Sequence, residues 1–131
     1  MNKIIKILIL LVFTSVLTLK SAIANEKIKI GLLIPLTGKN YEIGQSIIRS
    51  TRLAINKINS PLIEIIPRDT ESNPNSTLKS AKELNELGVK IIIGPVFNKN
   101  LTYLEELKEV TFLSLTNKSN NDSKSNVFFQ R

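Results

Sequence analysis

The strongest constraint on this 131-residue chain is a strict alternation of two hydrophobic periods. "KIKIGLLIP" (residues 27–35) begins with alternating apolar residues and becomes continuously apolar, as a strand covered on both faces does. Residues 42–59 carry a 3.6-residue period, with Ile43, Ile47, Ile48, Ala54, Ile55 and Ile58 on one side, and read as an amphipathic helix ended by Ser60-Pro61. "LIEII" (62–66) is a second strand stopped by Pro67, with Arg68-Asp69-Thr70 in a loop. Asn73 as N-cap and Pro74 as first helical residue open a second helix, striped by Leu78, Ala81, Leu84 and Leu87 and closed by Gly88. "KIIIG" (90–94) is the third strand, 101–110 a third helix with Leu101, Leu104, Leu107 and Tyr103 as its candidate inward residues, and "TFLSL" (111–115) a fourth strand. A polar loop, 116–126, leads to a last strand starting at Val127-Phe128-Phe129. Strand–helix alternation of this kind predicts an α/β fold, a parallel sheet with helices on both faces. Ligands of such sheets lie outside the carboxyl ends of the strands, here the loops after Pro35, Pro67, Gly94 and Leu115.

That domain occupies 25–131. Residues 1–24 have a basic start (Lys3, Lys6), an apolar middle from Ile7 to Leu17 and a small-x-small end at Ala22-Ile23-Ala24, the pattern of a cleavable secretory signal peptide. The apolar stretch falls short of the about 20 residues of a membrane span, with a retained N-terminal anchor as the alternative. After cleavage the product is expected to be free of the membrane. The chain has no cysteine, hence neither disulfides nor a lipid-bearing cysteine after the leader, and no histidine, which removes most nucleophile–base pairs and zinc sites. Three of its 18 basic residues lie in the leader, leaving 15 against 11 acids without a basic run. A nucleic-acid surface would gather them on one face.

The motifs that could carry catalysis are incomplete. Gly38-Lys39 follows a strand and precedes a helix, but a phosphate loop needs glycine where Leu33 stands and Ser or Thr where Asn40 stands. No G-x-G-x-x-G occurs, so no dinucleotide cofactor is implied. Arg68, Asp69 and Glu71 place charge at a strand end, and read as a turn and capping cluster ahead of the second helix rather than as a catalytic pair. Lys79–Glu83 and Lys82–Glu86 read as i,i+4 surface pairs. Nothing here makes an enzyme or calls for a cofactor.

"IKIGLLIPLTGKNYEIGQSIIRSTRLAINKIN" (28–59) resembles the opening of the Leu/Ile/Val-type periplasmic solute-binding proteins, with the strand, the Pro-Leu-Thr-Gly loop and the helix in the expected order. "IEIIPRDTESNPNSTLKSAKELNELGVKIIIGPVFNKN" (63–100) is similar to a subgroup, the exported activators of penicillin-binding proteins, in its "RDT…P…A…G…GP" progression. The resemblance implies a hinged, two-lobed, non-enzymatic periplasmic protein, of which this chain is the N-terminal lobe, truncated where "NVFFQR" (126–131) would cross to the second lobe. In activator members the scaffold docks a peptidoglycan synthase. In transport members it holds a small amino acid and delivers it to an ABC transporter permease. The positions expected to touch a ligand are Thr37, Gly38, Tyr41, Asn98, Thr116 and Asn117. Where transport members place small hydroxyl residues after the Gly-Pro, this chain has Phe97-Asn98-Lys99-Asn100.

Overall fold

A computed structural model describes residues 2–5, 26–116 and 126–129. The leader assigned to 1–24 lies largely outside the described residues, as does Asn117. Five strands, β1 (Ile28–Ile34), β2 (Ile63–Asp69), β3 (Ile91–Ile93), β4 (Thr111–Ser114) and β5 (Val127–Phe129), form one sheet in the order β2-β1-β3-β4-β5. Every neighbouring pair is parallel. Two α-helices, α1 (Tyr41–Ile58) and α2 (Pro74–Glu86), connect β1 to β2 and β2 to β3. No described helix is long and apolar enough to cross a membrane.

The main core lies on the α2 face of the sheet, where Leu33, Ile92, Phe112 and Val127 meet Ala81, Leu84, Leu101 and Leu104. Helix α2 starts as its sequence dictates. The Asn73 side chain accepts from the backbone N–H groups of Asn75 and Ser76, Pro74 fills the first turn, and Gly88 takes a φ of +82° just beyond the end. On the other face α1 sits close to β1 because Gly44 faces the Pro35 carbonyl, and a Cβ there would fall inside that oxygen.

Two elements and one set of ion pairs differ from the sequence reading. The second strand does not stop at Pro67; it runs on to Asp69, with Pro67 in register with Leu32. β2 is an edge strand, and at an edge the missing proline N–H need not cost a ladder bond. Arg68 and Asp69 therefore belong to a strand, not a loop. The helix expected at 101–110 is replaced by two 3₁₀ turns, Asn98–Leu101 and Leu104–Glu106. Leu101, Leu104 and Leu107 still point inward, fully or partly buried, whereas Tyr103 is exposed. Their spacing of three matches the about 3.0 residues per turn of a 3₁₀ helix, whereas an α-helix would rotate the third leucine off the face. The i,i+4 pairs on α2 give way to longer-range contacts: Arg68 Nε lies 3.2 Å from Glu83 and Lys82 Nζ 3.1 Å from Glu106.

Gly44→Ala is expected to destabilise the fold by about 2–3 kcal/mol or more, because the clash is with backbone that cannot yield. Gly88→Ala meets no atom and should cost only about 1–2 kcal/mol for its left-handed backbone. Urea denaturation of the two variants compares them directly.

Candidate functional site

β1 is flanked by β2 on one side and β3 on the other, and the helices that leave β1 and β2 cover opposite faces. The chain thus reverses direction across the sheet between β1 and β3. Above their carboxyl ends the two loops diverge, which in a doubly wound sheet is where a ligand crevice opens. One rim is the loop 35–40 after β1. The other is 94–98 after β3, which begins with a cis Gly94-Pro95 bond.

Each rim is tied to its outer neighbour. On the β1 side the Asp69 carboxylate at the end of β2 is the fastening. Its Oδ1 accepts from the Leu36 N–H at 2.8 Å and from the Glu71 N–H at 2.8 Å, and its Oδ2 accepts from the Thr37 hydroxyl at 2.6 Å. The Thr70 N–H donates to the Ile34 carbonyl at 3.0 Å, and the Asn40 amide donates to the Ser72 hydroxyl at 2.9 Å. From below, the Ser80 hydroxyl of α2 donates to the Asp69 carbonyl at 2.7 Å. On the β3 side the Gly94 N–H donates to the Leu113 carbonyl at 2.8 Å, and the Leu115 N–H to the Pro95 carbonyl at 3.1 Å.

Partial burial pushes the Asp69 carboxyl up, but the Thr37 hydroxyl and the backbone N–H groups of Glu71, Leu36 and Thr37 outweigh it. The net effect holds Asp69 below its ordinary value, ionised and fastened. Hydrogen bonds to the charged form are the stronger kind, so the rim is set by one anion rather than by apolar packing.

Of the six residues expected at the site, Thr37, Gly38 and Tyr41 stand together at the exposed mouth of the β1 rim. Asn98 opens the 3₁₀ turn on the β3 rim and is half-buried. Thr116 follows β4 and is buried, with its N–H donating to the Ser114 hydroxyl at 3.2 Å. Asn117 lies outside the described residues. The sequence reading understated Asp69. Its i+2 contact to Glu71 is an Asx-turn legible from the sequence, whereas its grip on Leu36 and Thr37 spans more than thirty residues and needs the β1–β2 register.

This arrangement is a doubly wound α/β lobe whose crevice is built from strand-end loops, and no group of three metal-ligating side chains occurs among the described residues. A periplasmic binding protein family profile matches residues 27–130. The chain belongs to that family. No curated protein matches it in sequence. Among solved structures it is similar to the branched-chain amino acid transporter substrate-binding protein LivJ from Streptococcus pneumoniae, in complex with isoleucine. That match has a TM-score of 0.70 and 19% identity, over 79% of this chain and 33% of the other. It is similar to an ABC transporter solute-binding protein from Rhodopseudomonas palustris in complex with 3,4-dihydroxybenzoic acid, with TM-score 0.72 and 23% identity over 79% and 31%. It also resembles the C-domain of LpoA from Haemophilus influenzae, a regulator of PBP1A, with TM-score 0.65 and 23% identity over 77% and 31%. The chain spans about a third of the length of these three proteins, and at such identities the likeness is one of fold.

Asp69→Ala should lower stability at neutral pH by about 1–3 kcal/mol. Because the folded pKa is depressed, this contribution is complete above the unfolded value near 4 and is lost as pH falls through the folded one. Denaturation of wild type and variant should therefore differ by a constant amount from pH 7 to 5 and converge in stronger acid.

Proposed function

We propose that this chain is the exported, non-enzymatic N-terminal lobe of a periplasmic binding protein that works as a docking module for a peptidoglycan synthase of the penicillin-binding protein class. The observation that carries this reading is how the crevice spends its polar groups. The Thr37 hydroxyl donates inward to Asp69, Thr116 is buried, and Phe97 stands after the Gly-Pro where a carboxylate-binding hydroxyl would be needed. A small amino acid carries two charges, and binding it requires convergent donors and acceptors that replace its hydration. The Thr37 hydroxyl proton is instead engaged in holding two loops together. A protein partner instead needs a firm rim of fixed shape, which the Asp69 fastening provides. The fold shared with the LpoA C-domain, a regulator of PBP1A, supports the same reading.

A second reading is solute capture for an ABC transporter, delivered to its permease. It rests on the exposed Thr37, Gly38 and Tyr41 at the switch-point mouth and on the fold shared with isoleucine-bound LivJ. In both readings the basic-apolar-small leader directs the chain to the periplasm, where it acts without cofactor, nucleic acid or membrane insertion.

Two measurements separate these roles. Photo-crosslinking from position 97 in living cells should trap a penicillin-binding protein, and recovery of no synthase counts against docking. Calorimetry with leucine or isoleucine should give no heat of binding at millimolar ligand. An affinity in the micromolar range, about −8 kcal/mol, would establish the transport reading in its place.

A further inference from the structure

Helix α1 meets the sheet unevenly. Gly44, in its first turn, is its one fully buried residue and sits against the Pro35 carbonyl. Farther along, a hollow of about 280 Å³ lies between the helix and the first two strands. From α1 come Ile48, Thr51 and Ile55, whose spacing of three and four keeps them on one face. From β2 come Ile63, Ile65 and Pro67, alternate residues that share one face of a strand. Leu32 of β1, in register with Pro67 and fully buried, completes the floor. All these walls belong to one unbroken run, residues 32–67, at the edge of the sheet opposite β5.

The lining is divided by chemistry. Six of its nine residues are aliphatic, and the three polar ones, Thr51, Arg52 and Asn56, all come from α1. Thr51 is half-buried, whereas Arg52 and Asn56 are exposed, one turn apart on the same side of the helix. Arg52 forms no ion pair among the described residues. The charges around it do not neutralise it. Helix α1 carries Arg49, Arg52 and Lys57 against a single acid, Glu42, which lies about 15 Å back along the helix. Strand alternation turns Glu64 to the other face of β2, and the Asp69 carboxylate is committed to the β1 rim.

We propose that this hollow binds a free medium-chain aliphatic carboxylate, with its tail against Ile48, Ile55, Ile63 and Ile65 and its headgroup on the Arg52 guanidinium. An apolar concavity with a few polar groups at one side is the usual form of a small-molecule site. Size sets the class of tail. A cavity of about 150 Å³ takes up one benzene, so roughly twice that volume suits a ligand of about ten non-hydrogen atoms, such as octanoate. Charge sets the headgroup. A guanidinium matches both oxygens of a carboxylate, and the Asn56 amide beside it supplies a further donor. An ammonium headgroup would meet only like charge on α1. The hollow opens beneath α1 and not above the strand ends, so this binding is independent of the docking role.

Isoleucine side chains line the hollow from both sides, so NMR of the full chain with labelled isoleucine methyls reads it directly. Octanoate should shift the methyl signals of Ile48, Ile55, Ile63 and Ile65 saturably, with a Kd below about 1 mM. It should leave Ile91 unmoved, an exposed isoleucine on β3 that reports non-specific adherence. From butanoate to octanoate the affinity should rise about fourfold for each added methylene, as burial of a CH₂ group requires. Arg52→Gln, at an exposed position, should weaken octanoate at least tenfold while leaving 1-octanol binding and the thermal unfolding curve unchanged. Absence of saturable binding at millimolar octanoate would overturn the proposal. So would shifts that include Ile91, an affinity indifferent to chain length, or octanoate binding that Arg52→Gln leaves intact.

Discussion

Every other element is placed by a strand that is paired on both edges. β1 takes β2 on one side and β3 on the other, and its Leu32, Leu33 and Ile34 are fully buried. Where such a strand is paired on both edges its backbone groups are satisfied without water, so its residues can be continuously apolar, and a break in pairing there would expose buried N–H and C=O groups at a cost of several kcal/mol. The crevice exists because the strand is shared. One partner is reached through α1 and the other through α2, and the loops above the strand ends must part. Close approach is part of the same constraint, since α1 reaches the sheet only where Gly44 replaces a side chain.

A single carboxylate then turns this geometry into a rim of fixed shape. Asp69 stands at the last position of an edge strand, half-buried, where its desolvation is modest and three backbone or hydroxyl donors converge on it. Hydrogen bonding outweighs desolvation, so the carboxylate stays charged and binds tightly. The same bond commits the Thr37 hydroxyl proton and leaves its oxygen only as an acceptor.

What was legible in the sequence follows from local physics. The alternation of periods predicts the parallel sheet, and Asn73, Pro74 and Gly88 predict both ends of α2 through capping and backbone preference alone. Where the reading failed, a neighbour decided. Pro67 ends a strand by default, yet stays in one when the strand lies at an edge, and edge position is a property of sheet order. Leu101, Leu104 and Leu107 announce an inward face correctly but not the helix type, because a spacing of three serves a 3₁₀ turn.

By itself the sequence determined the class of fold, the order of its elements, the capping of α2 and the absence of a cysteine framework, since each is written in short-range periodicity or composition. The tertiary structure alone decided which strands are neighbours, which candidate residues meet at the mouth, and that Asp69 fastens loops far apart in the chain. The apolar stripe of α1 looks the same on a helical wheel whether it meets the sheet or overlooks it, and only the position of the helix over β1 and β2 tells the two apart.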